Sequence, residues 1–248
     1  MKRSVRFLPL SLLLVTPVSA LAGTQVGDFD LTANVALTSD YVWRGVSQND
    51  EHPALQGGFD VTHKLGIHAG VWGSPVDFND GDDASTELDF LLDYTKKFDF
   101  GLAATVGAIH YDYPGATSGR QYDFEEYYIG LVYPVEQIRT EFSAKYSYSG
   151  DFFGSLADRS AEYIEGGAKI SMPWEVALTA RAGHTFGDHF DNTVGNPDSY
   201  TDYKVGVSRE FAGFGFDVSH YGTDDDGRTL NTAKLASSRT VFTLSKLF

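Results

Sequence analysis

The chemistry most visible in this sequence is charge placed at alternate positions. Arg139, Glu141, Ser143, Lys145 and Ser147 alternate with Ile138, Thr140, Phe142, Ala144, Tyr146 and Tyr148. Successive side chains of a β-strand point to opposite faces, so such a segment carries charge on one face and apolar groups on the other. The same parity gathers Asp40, Arg44, Asp60, Asp89, Glu126, Arg139, Glu141, Lys145, Glu165, Lys169, Arg181 and Lys204 as candidates to line a lumen. Asp30, Glu87, Asp93, Glu175, Asp202, Asp217, Lys64 and Arg239 fall on the same faces. Charged rings sort ions by sign, and acids outnumber bases here, so a conducting lumen would weakly prefer cations.

Other chemistries have less support. His110, His184, His189 and His220 are candidates for a lipid or peptide hydrolase, but no GxSxG motif occurs, and His184 and His220 share parity with apolar neighbours. The acidic stretches Asp80 to Asp83 and Asp224 to Asp226 would suit an adhesive barrel that binds cations through its loops. They lack the ligand spacing of an EF-hand, and suit solvation or divalent bridging to lipopolysaccharide better. The chain has no cysteine, which excludes disulfides and thiolate metal sites. No cofactor and no resident metal is expected. A net charge of −15 argues against nucleic acid as a partner.

Long elements are needed to hold these residues in register. Lys2, Arg3 and Arg6, the apolar run Phe7 to Val15 and the small residues through Ala22 have the order of a cleavable secretory leader, residues 1–22. From residue 23 to 248 the alternation predicts strands near 29–43, 54–64, 66–74, 85–96, 98–111, 123–133, 137–149, 161–171, 174–186, 200–210, 213–221 and 238–248. Short connections at Lys64 to Gly66, Lys96 to Phe98, Pro134 to Glu136, Ser171 to Pro173 and Glu210 to Ala212 alternate with long polar ones such as Gly195 to Asp198. An even number of strands with short turns at one end and long loops at the other is the pattern of bacterial outer-membrane barrels. The predicted fold is therefore all-β: a transmembrane antiparallel up-and-down β-barrel of about twelve strands.

Period two alone would also suit a soluble barrel. The aromatic residues argue for a membrane. Tyr41, Trp43, Tyr111, Tyr146, Tyr148, Phe186 and Tyr221 sit at the loop ends of strands, and Tyr94, Phe98, Tyr133, Trp174, Phe211 and Phe214 at the turn ends, as two interfacial girdles would require. The last strand places Thr240, Phe242, Leu244, Lys246 and Phe248 on one face. Ending on an aromatic resembles the signal read by the barrel-assembly machinery, and Lys246 can snorkel to water. The expected surroundings are outer-membrane lipid and lipopolysaccharide, with small solutes or ions in the lumen.

One stretch is more specific than periodicity. Leu37 to Gln48 reads LTSDYVWRGVSQ, and Pro53 to Asp60 follows as PALQGGFD. With the leader and the terminal Phe, this resembles the proteobacterial TorF family, a conserved outer-membrane family also called Gcw_chp. The resemblance implies a porin-like barrel and marks Ser39, Asp40, Tyr41, Arg44, Gly45, Ser47 and Gln48 as motif positions. By face, Asp40 and Arg44 are expected to pair at the pore rim, Tyr41 and Trp43 to face lipid, and Gly45 to turn the chain into the first loop.

Overall fold

The computed structural model describes residues 23–79, 81, 84–116, 122–153, 159–191 and 196–248. The expected leader, Asp80, Asp82 and Asp83 of the acidic loop, and Gly195 lie outside the described residues.

Twelve long strands close into an antiparallel ring: β2 (Phe29–Thr38), β5 (Ala54–His63), β6 (Ile67–Pro75), β7 (Thr86–Lys97), β8 (Ala103–Asp112), β9 (Phe124–Val135), β10 (Thr140–Ser149), β11 (Ala161–Ser171), β12 (Val176–Phe186), β13 (Ser199–Phe211), β14 (Phe214–Thr223) and β15 (Arg239–Leu247). Each strand pairs with its neighbour in sequence, and β15 pairs with β2 in the register Leu244↔Leu37 to complete the circle. Phe248 extends this seam: its N–H donates to Ala33 O at 2.8 Å, and Ala33 N–H donates to Phe248 O at 3.2 Å. A short β1 (Thr24–Val26) folds back on the start of β2. Closure gives each of the twelve long strands a neighbour on both sides, which is what allows a sheet to sit in hydrocarbon.

The alternating pattern sorts as parity predicts. Leu55, Phe59, Leu92, Val205 and Phe242 are among the many large apolar residues exposed on the outer wall. Apolar area left in water costs about 25 cal/mol per Å². An apolar surface running around a whole barrel far exceeds the few hundred Å² that soluble monomers tolerate, whereas in a bilayer it is solvated. At the turn end Tyr94, Tyr133, Trp174, Phe211 and Phe214 are exposed and outward, as a lower girdle requires. Lys246 lies over the rings of Phe214 and Phe248, 4.9 and 5.2 Å from their centroids, so its charge is accommodated at the interface.

Some expectations are corrected. Tyr111 and Tyr221 face the lumen and are buried, so they do not belong to the upper girdle. Arg139 is not on a lumen face. The connection before β10 contains a 3₁₀ turn, Glu136–Ile138, and Arg139 closes it in the left-handed region at φ 52°, exposed. Lys64 is likewise exposed in a turn, where it pairs with Asp28 at 2.7 Å, and Glu175 sits exposed in the turn Pro173–Glu175. Strand β5 ends just before Lys64, and strands β10 and β12 begin just after Arg139 and Glu175, so all three side chains fall outside the spans that parity alone would give. The acidic run Asp224 to Asp226 begins a short helix, α1 (Asp225–Leu230), with Asp224 capping it by accepting from Gly227 N–H at 2.8 Å.

Candidate functional site

The motif segment does not continue the first strand up to Trp43. β2 stops at Thr38, and the chain bends inward into a small hairpin, β3 (Val42–Trp43) and β4 (Val46–Ser47), joined by Arg44 and Gly45. Both turn residues have positive φ, 46° and 80°, the geometry of tight hairpins in which glycine is favoured. A methyl group on Gly45 would come within 2.9 Å of Asp202 Cβ and 3.0 Å of the Gly222 carbonyl. Glycine is required there on both counts.

Apolar contacts explain why the hairpin lies inside. Tyr41 packs edge-on against Trp72 with ring centroids 5.4 Å apart, and Trp43 packs against Tyr111, Phe124, Phe152 and Phe153. Val42 is buried with Tyr221 and Val241, and Val46 with Tyr200 and Leu235. The expectation that Tyr41 and Trp43 face lipid is therefore overturned. Their parity is right for an outward strand, but the strand has already ended.

Polar contacts tie the hairpin to opposite walls. Arg44, 4% exposed, donates to the carboxylate of Glu126 on β9, which is 1% exposed and also lies 3.6 Å from Lys145 Nζ. The Arg44 guanidinium is held between two rings, 4.1 Å from the centroids of both Trp43 and Tyr163. Asp40 accepts from Ser47 Oγ at 2.7 Å and from Arg239 Nη1 at 2.8 Å. The expected Asp40–Arg44 pair thus gives way to two separate ones. The turn carries Arg44 across to the far wall, whereas Asp40 stays at the root of the hairpin beside β15. Of the remaining motif positions, Ser39 accepts through Oγ from Phe242 N–H at 3.0 Å, and Gln48 donates its backbone N–H to Tyr41 O at 2.7 Å.

At the loop end, Lys234 Nζ donates to Asp50 at 2.6 Å and Ser47 N–H to Leu235 O at 2.9 Å, fastening the returning chain to the last long loop. The Lys234 ammonium holds the Asp50 carboxyl below its ordinary range, and Asp50 in turn raises Lys234.

Asp60, Asp89, Glu126, Glu141, Lys145, Glu165, Lys169, Arg181 and Lys204 all occupy inward positions of their strands. Arg181 bridges Glu165 and Asp202 at 2.8 and 2.9 Å. Two tyrosines cross over glycines to reach acids. Tyr163 Oη donates to Asp202 at 2.9 Å over Gly183, and Tyr128 Oη donates to Asp93 at 2.9 Å over Gly107, where an added methyl would lie 2.7 Å from the ring.

His68 was missed by the sequence reading. It is 2% exposed, with Nδ1 2.9 Å from Asp93 and Nε2 3.0 Å from Asp60. Both ring nitrogens are thus within hydrogen-bond reach of a carboxylate. The signal was present in the polar parity that His68 shares across β5 to β7 with Asp60 and Asp93.

The four histidines considered for hydrolysis are dispersed. His184 and His220 face outward and bond Thr201 and Thr240, each at 3.1 Å. His110 lies outside the lumen, 3.5 Å from Glu125, and His189 packs against Phe152 and Phe190 in a loop. Burial and the charge of Arg159 keep His189 below its ordinary range.

The fold is that of known outer-membrane barrels. The NanC porin superposes with a TM-score of 0.57 at 9% identity, over 88% of this chain and 98% of that one. LpxR from Salmonella typhimurium gives 0.50 at 11% identity, over 88% and 99%. No curated protein matches the sequence. The model of a family described as bacterial protein of unknown function (Gcw_chp) matches residues 22–248, and the chain therefore belongs to the Gcw_chp family.

Proposed function

We propose that this protein is a narrow, passive outer-membrane channel for small ions or solutes, constricted by the inner hairpin and weakly cation-preferring. The observation that carries the reading is the inner wall itself. Beside the aromatic cluster that packs around the hairpin, it carries carboxylates, ammonium and guanidinium groups on many of its inward positions, whereas a merely structural barrel could be filled with apolar side chains alone. Acids remain in excess on the inward positions once Arg139, Lys64 and Glu175 are removed to the turns, which supports cation preference.

Residues 1–22 act as a cleaved leader, and the strand ending in Phe248 is the segment offered to the assembly machinery. Lipopolysaccharide and lipid surround the outer wall.

Planar-bilayer recording of the refolded mature chain in a salt gradient tests this. Discrete conductance with a reversal potential on the cation side supports the reading, and anion selectivity contradicts the charge assignment. Hydrolysis of lipid or peptide by the purified barrel, lost on replacing a single rim histidine, would favour the enzymatic alternative.

A further inference from the structure

We infer that the extracellular mouth holds a binding site for a divalent transition-metal ion, formed by Asp50 and His52 of the first loop and Asp77 of the second. One ligand atom from each lies within 4.8 Å of the other two, close enough for small side-chain rotations to bring all three onto one ion. At metal–ligand distances near 2.0–2.2 Å, two ligands of the same ion stand about 3–4 Å apart.

The frame beneath these side chains is rigid although the side chains themselves reach solvent. Asn49 and Asp77 form an isolated parallel bridge, and Asp77 N–H donates to Gln48 O at 2.9 Å. Asn49 and Gln48 are buried. Asn49 Nδ2 donates to the carbonyls of His52 and Pro53 at 3.1 and 3.2 Å, which fixes the short chain between the two first-loop ligands. The two loops are therefore held together before any ion arrives, so little ordering cost accompanies binding.

A cation already sits on the site. The half-exposed Lys234 ammonium donates to Asp50 at 2.6 Å, from a long side chain that can swing into water when a stronger cation competes. The ligand chemistry selects the class of metal. Two carboxylates with one imidazole suit ions from Mn²⁺ to Zn²⁺, whereas Ca²⁺ takes oxygen ligands and six or more of them. Three protein ligands leave coordination positions open to water, so the ion is exchangeable.

Calorimetric titration of the untagged, refolded mature barrel with Zn²⁺, paired with the visible absorption of added Co²⁺, tests the site. The expected result is one equivalent bound, imidazole-dependent Co²⁺ bands, and an affinity about tenfold or more weaker in His52→Ala and in Asp77→Asn. Both ligands are exposed, and unchanged heat-modifiable gel mobility reports that the variants remain folded. Equal affinity in His52→Ala overturns the site. Binding of Ca²⁺ with the same affinity and the same dependence on these residues overturns the metal class.

Discussion

Arg44 and Glu126 join the inner hairpin to the opposite wall of the barrel, and both are buried. Removing one partner of a buried pair leaves the other uncompensated, a loss of about 3–5 kcal/mol. Lys145, 3.6 Å from Glu126, offsets part of that loss. Arg44→Ala should therefore destabilise the barrel by about 2–4 kcal/mol, and Glu126→Gln by less, because a neutral amide can still accept from Arg44. Denaturant unfolding of the detergent-refolded variants measures both. Equal stability of all three proteins would mean that the hairpin is not held by this pair.

The two tyrosines that cross glycines make a second prediction. A methyl group on Gly183 would overlap the Tyr163 hydroxyl and push it away from Asp202. Overpacking of this kind costs about 1–3 kcal/mol. Gly183→Ala should lower the unfolding midpoint, and in a Tyr163→Ala background the further loss should shrink, because the ring and hydroxyl that the methyl would meet are both gone. Full additivity of the two substitutions would contradict the contact.

The Asp50–Lys234 contact has a defined pH window. A carboxyl held below its ordinary 3.8 contributes stability that is fully present above that value and lost as pH falls through the folded-state pKa. An ammonium held above its ordinary 10.5 contributes stability present below that value and lost as pH rises through its folded-state pKa. The link between first and last loops should thus hold across neutral pH and release in strong acid or strong base. Spin labels on the two loops would report it, with a narrow distance distribution at neutral pH and a broadened one in strong acid. An unchanged distribution in acid would show that the loops are held by other contacts.

Phe248 forms the end of the closing seam through two backbone hydrogen bonds with Ala33. Each is worth about 0.5–1.5 kcal/mol net. Deleting Phe248 should slow assembly into membranes and lower the unfolding midpoint of the refolded barrel. Replacing it with Leu should spare the seam while testing whether assembly reads the aromatic ring. Normal insertion of the deletion variant would remove any role for the terminal residue in assembly.

Much of the fold was legible in the sequence because β-strand side chains repeat every two residues. The clean alternation from Thr140 to Tyr148 and the terminal series through Phe242 and Leu244 both appear on the faces expected. The same rule failed where backbone direction changed without a change of pattern. From Ser39 to Trp43 the alternation continues, and only Gly45 marks a turn, so the bend at Thr38 left no local sign. Arg139 and Glu175 were misplaced for a related reason: the 3₁₀ turns preceding β10 and β12 consume residues that parity had assigned to strands. His68 went unread because its meaning lies in two neighbours on other strands, Asp60 and Asp93, and pairing between strands is a property of register.

In the proposed channel, the hairpin carrying Arg44 is the constriction. Single-channel recording of the parent and Arg44→Ala in planar bilayers tests it most directly. Loss of the guanidinium should loosen the hairpin from Glu126, raise unitary conductance and shift selectivity further toward cations. Unchanged conductance and selectivity in a variant that folds and inserts normally would contradict it.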